Sequence, residues 1–225
     1  KKGGFTIEAE AAKLICSYAS NGREAINMVQ LAGGLALTDG RLNISLEDVE
    51  WVINSGNYNL RPEKSIANAP QVGAINGLAV YGPNLGTLMD IEAVAIPTIE
   101  GRGTLTITGI VDEEEIGSDT RRSKRRSTAR SSVDNVITVM KKFLGIHTKD
   151  YDIHLNFPGG IPVDGPSAGI GIITAIYSAI ENIPIDNTLA MTGEVSIRGE
   201  VKAVGGVSTK IRAAEAAGVK KVIIP

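Results

Sequence analysis

Residues 152–180 read DIHLNFPGGIPVDGPSAGIGIITAIYSAI, and within this stretch the hydrophobic pattern changes its period. Residues 152–157 alternate apolar and polar side chains, which predicts a strand. Residues 158–162 are mostly Pro and Gly and predict a loop. From about 166 to 180 the sequence predicts a helix, with Pro166 at its first position, where a missing N–H costs nothing. A strand, a loop and a helix in succession indicate a domain of mixed α+β class.

The same mixture continues on both sides of this stretch, from residue 71 to residue 225. Helices are predicted over residues 133–144 and 206–217, the first of them amphipathic. The predicted strands cover residues 72–81, 87–96, 103–111, 188–197, 200–204 and 222–224. Because the last strand ends the sequence on an apolar run, we expect this α+β domain to be incomplete at its carboxyl end.

The amino-terminal part predicts a different, all-α unit. Apolar residues recur at helical spacing in residues 7–19 and 22–37, and Ser45 is placed to cap a third helix. Residues 57–70 contain Asn, Pro and Lys without any period and predict a linker. The sequence therefore predicts a small all-α helical subdomain over residues 1–56, followed by the mixed α+β domain over 71–225.

Composition excludes several classes of protein. The chain has 225 residues, 43% of them apolar and 21% charged, which is typical of a folded globular protein. A formal charge of −2 argues against non-specific nucleic-acid binding as the main function. The sequence has one cysteine, Cys16, so we expect no internal disulfide. It has two histidines, so we expect no structural zinc site. With no apolar run of about 18 residues and no signal peptide, we expect a cytoplasmic protein.

The segment PVDGPSAG, residues 162–169, is the strongest candidate for chemistry. Ser167 is predicted in the first turn of a helix, where backbone N–H groups lack intrahelical acceptors and favour negative charge. Such a place suits a nucleophilic serine, and the neighbouring N–H groups suit an oxyanion. The alternative is that Asp164-Gly165-Pro166-Ser167 is only a turn and a helix cap.

A nucleophilic serine needs a base, and two kinds are available. His147 and His154 are candidates, although His154 alternates with apolar residues in a predicted strand, as a structural residue would. A lysine base must be held neutral, which costs roughly 4 kcal/mol near pH 7.4 and requires desolvation. Lys210 meets that requirement best, because it lies beside the apolar stripe of the predicted helix 206–217. Its alternative is a surface lysine that covers alanines.

Three separated blocks resemble those of the Lon protease proteolytic domain. They are PVDGPSAG at 162–169, MTGEVSIRG at 191–199 and GGVSTK at 205–210, in the family's order and with its 43-residue step from Ser167 to Lys210. The resemblance implies that Ser167 is the nucleophile and Lys210 the general base of a Ser-Lys dyad. It also implies that Thr192 helps to hold the lysine and that Asp164 shapes the site. His154 matches a family histidine near the site, whereas Asn156 replaces a second one.

The amino-terminal helices resemble the small helical subdomain of an AAA+ ATPase, which precedes the protease domain in Lon. In this resemblance Gly22-Arg23-Glu24 matches a sensor motif, and Arg23 would reach a nucleotide phosphate. An arginine that opens an exposed helix is otherwise just a solvated residue. The chain contains no Gly-x-x-x-x-Gly-Lys-Ser/Thr loop, so we expect ATP with Mg to bind through an upstream AAA+ module and not to this chain alone.

The charged block at residues 112–130 resembles the B-type branch of the family. We expect it to be a mobile, solvent-facing loop, and the alternative is a segment that contacts substrate, a neighbouring subunit or an anionic surface. The resemblance implies an ATP-dependent serine endopeptidase that degrades unfolded or regulatory proteins as a homohexamer, with no nucleic acid required. The alternative is a non-proteolytic Lon-like domain of a DNA-repair ATPase, in which the basic run 121–126 would contact nucleic acid.

Overall fold

The structure is a computed structural model that describes residues 4–19, 22–58, 66–81, 85–109, 113–118, 121–159 and 165–225. Of Tyr81, Leu85 and the segments 113–118 and 121–126 it describes the backbone only. The chain divides into two compact units, Lys1–Glu63 and Lys64–Pro225. The division lies inside the segment 57–70, for which the sequence predicts a linker.

The first unit contains three helices. Its elements are β1 (Thr6–Ile7), α1 (Ala9–Tyr18), α2 (Gly22–Thr38), β2 (Asn43–Ile44) and α3 (Leu46–Ser55). The short strands β1 and β2 pair in parallel. Buried side chains from all three helices form its core, among them Ala11, Ile15, Met28, Ala32, Val49 and Val52. The three helices that the periodicity predicts are thus present, each within two residues of the expected start.

The amino terminus of α3 is held by a capping box, as the position of Ser45 predicts. The Ser45 hydroxyl accepts a hydrogen bond from the Asp48 backbone N–H, and the Asp48 carboxylate accepts one from the Ser45 backbone N–H. Two guanidinium nitrogens of Arg41 lie 2.9 and 2.8 Å from the two carboxylate oxygens of Asp48. This pairing holds the pKa of the Asp48 carboxyl well below its usual range.

The second unit is a mixed α+β domain, as predicted. Its first elements are β3 (Gln71–Val72), β4 (Ala74–Tyr81), β5 (Leu85–Pro97), β6 (Leu105–Thr108), β7 (Glu113–Ser118), β8 (Arg121–Arg126), α4 (Thr128–Phe143) and β9 (Tyr151–Asn156). They are followed by α5 (Gly169–Glu181), β10 (Pro184–Ile185), β11 (Leu189–Met191), β12 (Glu194–Val195), β13 (Val201–Lys202), α6 (Val207–Ala216) and β14 (Lys221–Ile223). Two 3₁₀ turns, Thr148–Asp150 and Pro166–Ala168, precede β9 and α5.

A six-stranded sheet with the order β14-β11-β4-β5-β9-β6 organises the second unit. The pairs β14–β11, β11–β4 and β9–β6 are parallel, whereas β4–β5 and β5–β9 are antiparallel. One face carries Ile75, Ile91 and Leu155 and packs in the main core with α4 and α5. The other face carries Leu78, Leu88 and Ala190, which cluster with Ala214 of α6. The sheet therefore separates α5 from α6.

Three predictions about local structure need correction. The predicted strand 188–197 is interrupted at Thr192 and Gly193, which separate β11 from β12. The predicted helix 166–180 begins with a 3₁₀ turn, and its α-helical part starts only at Gly169. The charged block is not a loop where it is described, since β7 and β8 pair as an antiparallel hairpin with Glu113 opposite Arg126. None of the described helices combines the length and apolarity needed to cross a membrane.

Candidate active site

Ser167 lies in the 3₁₀ turn that joins the loop after β9 to α5. The turn begins at Pro166, directly after Gly165, whose φ of 145° favours glycine. The Gly169 N–H donates to the Pro166 carbonyl, which closes the turn. Ser167 is half-buried. The predicted location at a helix start is therefore confirmed, although the turn is of the tighter 3₁₀ kind.

Thr192 and Gly193, the two residues that interrupt the predicted strand, hold this turn. The Gly193 N–H donates to the Ser167 carbonyl at 2.8 Å, and the Ile170 N–H donates to the Gly193 carbonyl at 3.1 Å. The Thr192 hydroxyl also donates to the Ser167 carbonyl, at 3.3 Å. A Cβ at position 193 would lie 2.5 Å from Val201 Cγ1, so this close approach requires glycine. The Thr192 backbone N–H still donates to the Ile223 carbonyl of β14 at 3.1 Å, and the strand breaks at Gly193, whose backbone N–H and carbonyl both bond the residues around the turn.

Lys210 is buried, with only 3% of its surface exposed. It lies in the first turns of α6, whose amino end is set by Gly206 at a φ of 68°. Its Nζ donates a hydrogen bond to Thr192 Oγ1 at 3.0 Å. Burial lowers the pKa of the Lys210 ammonium, because the charged form loses solvation. The prediction that this lysine lies on the apolar side of its helix is confirmed.

Ser167, Thr192 and Lys210 therefore come together from three separate parts of the chain. Lys210 Nζ contacts the Thr192 hydroxyl, and that hydroxyl contacts the Ser167 carbonyl. Among the described residues, no hydrogen bond joins Lys210 Nζ directly to Ser167 Oγ. Asp164 lies outside the described residues. Arg23 belongs to the other unit, where it is exposed in the first turn of α2.

The two histidines are held elsewhere in the second unit. His154 is exposed on β9, and its Nε2 lies 3.1 Å from Thr108 Oγ1. The Thr108 hydroxyl also donates to Asn156 Oδ1 at 2.7 Å. His147 precedes the 3₁₀ turn Thr148–Asp150. Within the part of the chain that the structure describes, neither histidine hydrogen-bonds Ser167, Thr192 or Lys210.

The sequence analysis did not predict one residue of this cluster. Ser132 of α4 is 2% exposed, and its hydroxyl donates to the Pro166 carbonyl at 3.4 Å. It shares the buried face of α4 with Ala129, Val133 and Val136. A polar residue at an apolar position of an amphipathic helix is the signal that could have found it. In the described ranges, no group of three His, Cys, Asp or Glu side chains is placed to hold a metal ion.

The arrangement provides the parts of an acyl-transfer site. A buried amine with a lowered pKa can exist in the neutral form that accepts a proton. The first N–H groups of the 3₁₀ turn have no intrahelical acceptor and can stabilise a developing negative charge. The Thr192 hydroxyl connects the two parts, since it bonds both Lys210 Nζ and the Ser167 carbonyl.

Sequence comparisons agree with the three blocks. The family model of the Lon protease (S16) C-terminal proteolytic domain matches residues 43–225, and so begins before residue 71. The chain is 54% identical to Lon protease 2 of Bacillus subtilis over 219 residues, which cover 97% of this chain and 39% of that protein. It is 36% identical to the archaeal Lon protease of Archaeoglobus fulgidus over 221 residues, which cover 90% of this chain and 33% of that protein.

A third relative, Lon protease 1 of Thermus thermophilus, is 38% identical over 190 residues, which cover 81% of this chain and 21% of that protein. The chain thus spans about two fifths or less of the length of these curated relatives. The archaeal relatives agree with the B-type branch that the charged block indicates. With the family model covering most of the sequence, the chain belongs to the Lon protease family and contains its C-terminal proteolytic domain.

Proposed function

We propose that this chain is the catalytic part of an ATP-dependent serine endopeptidase that degrades unfolded or regulatory proteins. In this proposal Ser167 is the nucleophile and Lys210 the general base of a Ser-Lys dyad. The observation that carries the proposal is the buried Lys210 amine, hydrogen-bonded to the Thr192 hydroxyl that itself bonds the Ser167 carbonyl. Among the described residues Lys210 Nζ has no carboxylate partner, and a buried lysine held only by a neutral hydroxyl is costly, so a chemical task gives it a reason to be there.

The proposed reaction begins with Lys210 as a neutral amine. Lys210 Nζ accepts the proton of Ser167 Oγ while that oxygen attacks the peptide carbonyl carbon. The resulting oxyanion is stabilised by backbone N–H groups of the 3₁₀ turn. As the C–N bond breaks, Lys210 returns the proton to the leaving amine and an acyl-enzyme remains. Water then attacks the ester carbonyl, with Lys210 as base again, and releases the second product.

Thr192 is proposed as a positioning residue. Its hydroxyl oxygen accepts from Lys210 Nζ and its proton is donated to the Ser167 carbonyl, so one side chain fixes both partners. Ser167 Oγ can change its direction by a rotation about χ1 alone, because the Ser167 backbone is anchored by Gly193. The proposal therefore requires a rotamer of Ser167 that brings Oγ to Lys210 Nζ while the Ser167 backbone stays anchored.

ATP dependence, assembly and compartment are further parts of the proposal. The support for a nucleotide contact is the exposed guanidinium of Arg23 in the first turn of α2, whose forked donors suit a phosphate. An upstream AAA+ module would hold ATP with Mg, and hydrolysis of the ATP would drive substrate unfolding. The protein would act as a homohexamer in the cytoplasm on protein substrates, without nucleic acid.

Degradation of an unfolded protein by the intact protein, with and without ATP, tests the proposal. Ser167→Ala and Lys210→Ala should each reduce cleavage to background, while unfolding midpoints stay close to that of the wild type. Lys210→Arg should also be inactive, because a guanidinium does not release its proton near neutral pH. Ser131→Ala, a change at an exposed serine of α4, is the matched control and should cleave normally. Full proteolysis by Ser167→Ala or Lys210→Ala would refute the dyad.

A further inference from the structure

We propose that Ser132 is a positioning residue that orients the backbone N–H of Ser167 as an oxyanion donor. It would do so by holding the carbonyl of Pro166, and the inference rests on the function proposed above. Ser132 lies on α4, which precedes the three sequence blocks that identify the site and is not part of any of them. Its role would be to keep one backbone dipole of the 3₁₀ turn in the direction that the reaction needs.

The position of Ser132 supports this role. Its side chain is 2% exposed, and its hydroxyl donates to the Pro166 carbonyl oxygen at 3.4 Å. Neighbouring positions on the same face of α4, Ala129 and Val133, are apolar and belong to the main core. A hydroxyl buried among apolar groups costs free energy unless it is hydrogen-bonded, so the bond to Pro166 accounts for a serine at this position.

The contact is close because α4 and the start of α5 meet at small residues. A Cβ at Gly169 would lie 3.2 Å from Ser132 Oγ and 2.8 Å from the Val195 backbone nitrogen. Ala168 is also buried at this junction. A larger side chain would separate α4 from the turn and remove the hydroxyl from reach of the carbonyl. The packing thus places Ser132 Oγ against the turn.

Peptide planarity connects this bond to the reaction. The Pro166 carbonyl and the Ser167 N–H belong to one planar trans peptide unit and point in opposite directions. Fixing the carbonyl therefore fixes the direction of the N–H. In the second position of a helical turn this N–H has no intrahelical acceptor, so it is available to an oxyanion.

The next peptide unit is fixed from the other side of the turn. The Ser167 carbonyl accepts from the Gly193 N–H at 2.8 Å and from the Thr192 hydroxyl at 3.3 Å. That carbonyl shares its plane with the Ala168 N–H. Two successive peptide planes are thus held, the first by the Gly169 N–H within the turn together with the Ser132 hydroxyl from α4, and the second by Thr192 and Gly193, so that two adjacent N–H groups are pre-oriented.

The test compares Ser132→Ala with Ser131→Ala in the intact protein. Ser131 neighbours Ser132 on α4, but its hydroxyl bonds the Ser127 carbonyl and its side chain is exposed. For peptide cleavage we expect Ser132→Ala to lower kcat about tenfold, as loss of one hydrogen bond that aligns an oxyanion donor would, and to leave KM within about twofold. Ser131→Ala should keep both constants.

A second measurement separates orientation of the N–H from loss of packing. A peptidyl boronate, which forms a tetrahedral adduct at a nucleophilic serine, should bind Ser132→Ala about tenfold more weakly, in proportion to kcat. Ser132→Cys keeps a weak donor of similar size and should recover part of both losses, which also protects the test if Ser132→Ala folds poorly. Urea midpoints of all variants are measured alongside.

The proposal is overturned if Ser132→Ala keeps wild-type kcat, or if kcat falls while boronate binding is unchanged. An equal loss in Ser131→Ala would overturn it as well, because the effect would then belong to α4 in general. Ser167→Ala is included to separate the two proposals. If Ser167→Ala is inactive and Ser132→Ala is not impaired, only the role of Ser132 fails, whereas an active Ser167→Ala removes the dyad itself.

Discussion

Lys210 lies in an environment that disfavours its ordinary charged form. The Lys210 residue is 3% exposed, so its ammonium has lost most of its water, and its hydrogen-bond partner among the described residues is the neutral hydroxyl of Thr192. The stability of the fold is reduced by such a group at neutral pH, because the unfolded chain binds its proton more tightly. That cost is relieved as the pH rises through the lowered pKa towards the ordinary value.

The pH dependence of cleavage follows from the same environment. Since the neutral amine is the active form, kcat/KM should rise with pH and level off, with an inflection below 10.5, the ordinary lysine value. The measurement is kcat/KM for a fluorogenic peptide across the range in which the fold is stable. Lys202→Ala, at an exposed lysine beside Glu200, is the control and should leave the inflection in place. An inflection at or above the ordinary lysine pKa would contradict the assigned base.

At the scale of elements, α6 positions Lys210 by lying very close to the sheet. A Cβ at Gly86 of β5 would lie 2.3 Å from the Thr209 carbonyl oxygen and 3.0 Å from the Ala213 Cβ. A Cβ at Gly206 would likewise lie 2.5 Å from Val80 Cγ2 of β4. Helix α6 can therefore pack closely enough to bring Lys210 to Thr192 only because β5 has a glycine at position 86, where α6 contacts the sheet.

Substitution of Gly86 tests this dependence. Gly86→Ala should move α6 away from β5, lower kcat at least tenfold and lower the unfolding midpoint, because the obstructing atom is backbone and cannot rotate away. The matched control is Gly34→Ala in α2, where nothing lies within 4 Å of the new Cβ. That change should keep activity and stabilise α2 by up to about 1 kcal/mol. Normal activity in Gly86→Ala would show that Lys210 does not depend on this contact.

At the scale of the whole molecule, the chain has two separate cores. The helical unit has its own buried cluster around Met28 and Val52, and the catalytic unit has a larger one around Ile91 and Ile172. The chain has one tryptophan, Trp51, and it lies in α3. Its side chain is 59% exposed, so its emission changes modestly on unfolding, but that change is a local signal of the helical unit.

Substitution of Asp48 should destabilise the helical unit without destabilising the catalytic unit. At pH 7, Asp48→Ala removes the capping box of α3 and the buried partner of Arg41. The free energy of unfolding obtained from the Trp51 transition in urea should therefore fall by more than about 1 kcal/mol. Far-UV circular dichroism, to which the helices of both units contribute, should separate into two transitions, and only the transition that coincides with the Trp51 signal should move to lower urea. Equal shifts of both transitions would mean that the two units unfold as one.

The stability difference between wild type and Asp48→Ala should become smaller in acid, because the pKa of Asp48 is lowered in the folded unit. The contribution of Asp48 is complete above the ordinary value of 3.8 and is lost as the pH falls below it. The gap between wild type and Asp48→Ala in the Trp51 transition should therefore narrow between pH 5 and pH 2. A gap that stays constant across this range would contradict the ion pair.

The sequence by itself determined those features whose cause is local. Periodic burial of one face located the three amino-terminal helices, α4 and the long strands, and Ser45 marked the start of α3. The α+β class followed from the alternation of these elements, and the three blocks identified the family, which the comparisons confirm. A side chain that must face a core leaves a repeating pattern in the sequence whatever it packs against.

Only the tertiary structure decided how distant residues meet. The Thr192 hydroxyl bonds both the Ser167 carbonyl and Lys210 Nζ, and Ser132 meets Pro166 because α4 packs on the start of α5. The charged block forms a hairpin because Glu113–Ser118 finds a pairing partner in Arg121–Arg126. The contacts of the site join residues 18 to 34 positions apart, and local periodicity carries no information about which distant backbone group will be within hydrogen-bond reach.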